Sequence, residues 1–233
     1  MNRIIVFALM FFCMTMQIEA QTLSEEEVTA KMYQAFELNK AAKKAEALEL
    51  FLIVGENTKQ QRNEGERQVY VCSQTMACQC YELLGRYKEG YLLGKSLLQG
   101  KLNDTERKDV GHLYAMNGYM YACEFIQRDE KGRADYKRGR ELISEILPYS
   151  DGQVKEYAET KIPLSWYFEG AQYAMTQSYD EALSSYEEAL NGFRDLGRVS
   201  EEVDVLSGIA SVKAHLCLSL IHISEPTRRT PIS

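Results

Sequence analysis

The stretch from Trp166 to Phe193, WYFEGAQYAMTQSYDEALSSYEEALNGF, sets large rings beside the smallest side chains at helical spacing. Trp166, Gly170 and Tyr173 fall at i, i+4 and i+7, which is one face of a helix. Ala182, Tyr186 and Ala189 repeat that spacing after the polar turn TQSYD. Antiparallel helices approach closely only where a small side chain lets the backbones meet. Gly170 and Ala182 are therefore expected at such a contact, with Tyr173 and Tyr186 filling the space beside it. Ala189 is expected to receive the next helix. One helical pair cannot cover this face alone, so neighbouring pairs are required.

The rest of the chain agrees. No useful length alternates apolar with polar residues, and of only 4 prolines two, Pro226 and Pro231, stand in the last eight positions. Long segments instead carry apolar residues at helical intervals, which predicts an all-α fold. Ser24 followed by Glu27 forms a capping box opening the first helix, and Asp104 or Thr105 is expected to open another. Breaks are predicted at GENTKQQRNEGE, LLQGKLND, RDEKGRAD, LPYSDGQ and NGFRDLG, where Gly, Asn, Asp and Pro gather.

W-x-x-E-G-x-x-Y followed by A-x-x-x-Y-x-x-A resembles the tetratricopeptide repeat. Glu169 stands where that family carries Leu, and no proline closes the unit. Weaker copies lie upstream. KAEALELF places Ala47 and Phe51, preceded by Ala35 and Leu38. CQCYELLGRYKEGYLLGKSLL places Cys78, Tyr81, Tyr87, Gly90, Gly94 and Leu97. NGYMYACEF with DYKRGRELISEIL places Gly118, Tyr121, Tyr136, Gly139, Ile143 and Ile146. The small residue of the second helix recurs at 47, 90, 139 and 182, giving steps of 43, 49 and 43, against about 34 in the family.

The resemblance covers residues 24 to 196 and implies a tetratricopeptide-like α-α superhelix of four helical hairpins. A fifth begins at SEEVDVLSGIASVKAHL. It also implies a concave groove, lined by the first helix of each hairpin, that takes a protein or peptide partner. By register that face would carry Phe36 and Asn39, Thr75 and Gln79, Ala115 and Tyr119, then Tyr167 and Ala171. The Lys and Asn set by which some family members grip a C-terminal carboxylate is missing, since Met32 and Phe36 occupy two of its positions.

The two ends read differently from the middle. Arg3, the apolar run from Ile4 to Met16 and the small Ala20 match a secretory signal peptide spanning residues 1–20. Cleavage after Ala20 and export to the periplasm or cell envelope are expected, an uncleaved anchor being the other reading. Cys13 follows the bulky Phe12 and so lacks a lipid-attachment pattern. Residues 218–228, LSLIHISEPTR, equal the in-frame translation of a transposase-type sequencing adapter. Residues 218–233 are therefore expected to be non-native, leaving 21–217 as the repeat domain. Cys72, Cys78, Cys80, Cys123 and Cys217 read first as buried thiols, with a Cys72–Cys123 bridge as the alternative that export would favour.

No arrangement of catalytic or metal-binding residues stands out. His112 and His215 have no metal-spaced partner, and neither a phosphate loop nor a nucleophile elbow occurs. Glu187–Glu188 and Glu201–Glu202 read as solvated acids. A net charge of −7 argues against a nucleic-acid surface. A non-enzymatic binding scaffold without a cofactor is the expectation. The exported repeats resemble the sensor halves of envelope-anchored bacterial regulators, whose membrane helix and output domain would follow. A periplasmic or outer-membrane binding protein for nutrients or glycans is the alternative, weakened by the missing lipid-attachment cysteine.

Overall fold

The computed structural model describes residues 23–127 and 134–224. Among them are nine α-helices, one 3-10 turn and no strand. The helices are α1 (Glu25–Lys40), α2 (Lys44–Thr58), α3 (Glu64–Leu83), α4 (Tyr87–Leu98) and α5 (Asp104–Ile126). They continue with α6 (Tyr136–Ile146), the 3-10 turn (Leu147–Tyr149), α7 (Gly152–Met175), α8 (Tyr179–Asp195) and α9 (Val199–Ser224). The chain is all-α. It divides into two compact units between Leu84 and Gly85, so α1–α3 form the first and α4–α9 the second. Residues 1–22, with the expected leader, residues 128–133 and residues 225–233 lie outside the described residues, whereas the backbone of α9 runs on through 218–224.

Side-chain caps on Ser24, Asn63, Asn103 and Asp135 open four of the helices. The Ser24 hydroxyl accepts from the Glu27 N–H at 3.3 Å, while the Glu27 carboxylate accepts from the Ser24 N–H at 2.8 Å. α5 opens with the same box on Asn103 and Glu106, one residue before the expected Asp104, because Asn103 has the extended backbone that a cap needs.

The stops hold more surprises. Lys43, Ser178 and Arg198 donate their N–H groups back to the carbonyls of Leu38, Tyr173 and Phe193 at 2.9 Å in each case. Each of these is a Schellman turn. It needs a left-handed residue, which is Gly197 in one instance but Ala42 (φ 60°) and Gln177 (φ 63°) in the others. The stops at Ala42 and Gln177 thus carry no glycine to announce them.

Two predicted breaks are helical inside. The break predicted at NGFRDLG falls at its end, at Leu196 and Gly197: α8 continues to Asp195, with Phe193 buried in the core and Gly192 receiving Pro163 of α7. Likewise α2 runs through Gly55 to Thr58, since Gly55 is where Gln74 of α3 lies against it. In both places glycine marks a helix contact, not a terminus.

Each helix packs on the next in sequence within its unit: α1 on α2 and α2 on α3 in the first, α4 through α9 in series in the second. In the second unit α5 also touches α7, and α7 touches α9, which is the stacking pattern of a helical solenoid. One core gathers Tyr91, Tyr114, Leu142, Ile143 and Ile146; another gathers Ala182, Tyr186, Ala189, Phe193, Val205 and Val212.

The repeat-packing residues fall as follows. Ala35, Ala47, Phe51, Ala182 and Ala189 are fully enclosed, and Tyr81 and Tyr186 are buried. Gly139 meets Ile126 and the Ala122 carbonyl of its hairpin partner α5, and Gly118 meets Ile146 and Tyr91. Gly90 lies against Asn117 of α5. Tyr121, Trp166 and Tyr173 are half-buried. The ring of Tyr186 fits between two glycines: a Cβ on Gly170 of α7 would stand 2.9 Å from it, and one on Gly208 of α9 would stand 2.9 Å from it on another side. The large ring and the small residues are parts of one contact.

Candidate functional site

The expected groove residues divide into those committed to the interior and those still presented at the surface. In the first unit Phe36 packs edge-on against Phe51, with centroids 5.5 Å apart. Asn39 is occupied too: its side-chain oxygen accepts from Lys44 Nζ at 2.6 Å and from the Cys80 thiol at 4.0 Å. The Thr75 hydroxyl donates to the Val71 carbonyl at 2.7 Å. Gln79 is exposed.

The second unit is richer in accessible rings. Tyr119 of α5 stacks with Tyr157 of α7 at 6.3 Å. Burial, and then the neighbouring Cys123 thiol, push the Tyr119 hydroxyl well above its ordinary value. Tyr167 is half-buried, tilted against Phe168 at 5.7 Å and against Tyr186 at 5.8 Å. Ala115 is enclosed and Ala171 half-buried. Along α7, Tyr157, Leu164, Phe168 and Met175 succeed one another at helical spacing, and Tyr157, Phe168 and Met175 are exposed. Phe168 and Met175 were not singled out from the sequence; their i+4 and i+11 spacing from Leu164 was the available signal.

Two polar clusters bind neighbouring helices together. Arg140 of α6 donates to Glu169 at 2.8 Å and to the Ser165 hydroxyl at 3.3 Å, and its guanidinium lies 3.4 Å from the centre of the Trp166 ring. Glu169 thus carries an ion pair between α6 and α7. Arg140, on a helix that also carries Arg138, gives no local signal for this pairing.

The second cluster centres on Glu145 of α6. Its oxygens accept from Tyr91 at 2.9 Å, from Tyr114 at 2.6 Å and from Lys95 at 2.7 Å. Beside it a cleft of about 290 Å³ is lined by Lys95, Leu98, Gln99, Tyr114, Glu145 and Tyr149. Burial would raise the Glu145 carboxyl, but hydrogen bonds from Lys95, Tyr114 and Tyr91 outweigh it and hold the group below its ordinary value of 4.5. A carboxylate held low stabilises the fold above that value and loses the effect as pH falls through the lowered one. Glu145→Gln is accordingly expected to destabilise the chain at neutral pH, with the gap to wild type closing on acidification below 4.5. Thermal melts across that range check it; a gap that is constant with pH contradicts it.

Among the described residues no three His, Cys, Asp or Glu side chains converge as metal ligands. His112 faces Asp151 at 3.0 Å at the start of α7, and His215 stacks on Tyr179 at 6.1 Å. Glu187 and Glu188 are exposed, while Glu202 pairs with Arg194 at 3.4 Å.

The five cysteines among the described residues are free thiols. Cys78, Cys80 and Cys123 are buried, and Cys72 and Cys217 are exposed, so burial does not extend to all five and the Cys72–Cys123 bridge is not formed. Burial pushes the Cys78 thiol up to about 12, far from a reactive thiolate. No helix among the described residues is long and apolar enough to cross a membrane. Compared with protein families and curated proteins, the chain matches no family model and no curated protein.

Proposed function

We propose that this chain is a non-enzymatic scaffold that binds a protein or peptide partner. In this reading it is a tetratricopeptide-like repeat array acting outside the cytoplasm as the sensing or interaction region of a bacterial signalling regulator. The observation that supports it best is the α5–α7 surface, where Tyr119, Tyr157 and Phe168 stand on adjacent first helices of a solenoid stack. Rigid rings on such a face suit an extended or helical peptide, because they bury area at little entropic cost. The leader-like residues 1–20 support the extracytoplasmic placement.

Selection from a random peptide library against the purified chain is the test. Peptides with apolar anchors are expected, and Tyr157→Ser combined with Phe168→Ser should weaken them at least about tenfold without changing the melt. Peptides that bind the double variant unchanged place recognition elsewhere. The signalling assignment is tested separately on the source DNA. There, an apolar run of about 20 codons and a kinase-like or helix-turn-helix output should follow the codon for Cys217; a stop codon soon after the fifth hairpin refutes it.

A further inference from the structure

Helix α7 carries five charged side chains, and four of them form ion pairs. Lys155 meets Glu159 at 3.8 Å, Glu156 meets Arg198 at 2.8 Å and Glu169 meets Arg140 at 2.8 Å. Lys161, the fifth, is half-buried and forms no ion pair among the described residues. It stands one turn after Tyr157, and its charge reaches the Cys123 thiol of α5, so it lies on the aromatic α5–α7 surface.

The surroundings select what can sit on that cation. Tyr157, Lys161, Leu164 and Phe168 follow one another at steps of 4, 3 and 4, and α5 opposes them with Tyr119 and Cys123. None of these six is an acid, in a chain whose net charge is −7. Partial burial takes water from the ammonium, so an arriving anion meets it with less screening than at an exposed site. A single ammonium is a point charge that matches one carboxylate. Arg140, whose fork would suit a phosphate, is already committed to Glu169. Tyr157 and Phe168 are 11 residues apart, about 16 Å along the helix, which an extended peptide spans in about five residues.

We infer that the α5–α7 surface takes an acidic peptide segment of a partner protein. One Asp or Glu side chain of that segment sits on Lys161, with apolar side chains on the Tyr119–Tyr157 pair and on Phe168. The inference rests on the peptide-binding reading and adds to it the charge of the peptide.

The test uses the purified full chain and a library of short synthetic peptides, in unmodified and serine-phosphorylated forms. Bound peptides are expected to carry Asp or Glu about two or three residues from an apolar side chain. Replacing that acid by its amide, or introducing Lys161→Met, should weaken binding roughly tenfold. Lys161→Glu should turn the selection toward Lys and Arg, an exchange that loss of a merely structural lysine does not produce. Neither variant should change the melt. Peptides that need Tyr157 and Phe168 but bind Lys161→Glu unchanged keep the recognition reading and overturn this inference, as does a preference for the phosphorylated forms. Tighter binding by an Asp129→Asn/Glu130→Gln variant would seat the chain's own acids on Lys161 and overturns it too. Finding no peptide that depends on Tyr157 and Phe168 overturns both.

Discussion

Tyr186→Ala is expected to lower stability by about 3–5 kcal/mol, the range for deleting a large buried ring. The ring is 4% exposed and lies against Gly170, Gly208 and Tyr167, so its loss empties the junction of α7, α8 and α9 at once. For a chain of this length that corresponds to roughly 10 °C in melting temperature, read by circular dichroism. The reverse change tests the same contact. Gly170→Leu should cost about 1–3 kcal/mol, because the added side chain meets a ring that Gly208 prevents from moving away. Combining the two should cost less than the sum, since the leucine then occupies space vacated by the ring. Strict additivity would mean that Gly170 and Tyr186 do not share a contact.

Arg140→Ala is expected to cost about 3 kcal/mol, at the low end for breaking a mostly buried ion pair. Arg140 and Glu169 have side chains only 11% and 17% exposed, so removing the guanidinium leaves a carboxylate with little access to water. The stacking on Trp166 disappears with it, worth about 1 kcal/mol more. Lysine should not rescue, because an ammonium cannot bridge Glu169 and Ser165 while lying flat on an indole. Arg140→Met with Glu169→Leu, which replaces the ion pair by apolar side chains, is expected to be neutral or stabilising within about 1 kcal/mol. Chemical unfolding of the single and double variants checks this. A double variant as unstable as Arg140→Ala would show that the ion pair itself, and not only the avoidance of a lone buried charge, holds α6 against α7.

The aromatic surface proposed for recognition was only partly legible. Tyr119 and Tyr167 could be placed on first helices from repeat register, and both stand at the α5–α7–α8 junctions. Phe36 and Asn39 occupy equivalent register positions, yet Phe51, Lys44 and Cys80 engage them within the first unit. Register fixes which side of a helix a residue occupies. How far a neighbour reaches over that side depends on the bulk of residues distant in sequence.

The same division runs through the whole molecule. Helical content, the Ser24–Glu27 cap and the burial of Ala47, Gly90, Gly139 and Ala182 follow from periodicity alone, because a backbone contact admits only the smallest side chains wherever it occurs. Tertiary structure decided whether Gly55 and Gly192 end a helix or seat a neighbour, that Ala42 and Gln177 turn left-handed, and that Glu169 meets Arg140 from 29 residues away. A sequence pattern records local spacing, whereas these outcomes are set by which side chain arrives from another helix and how much room it finds.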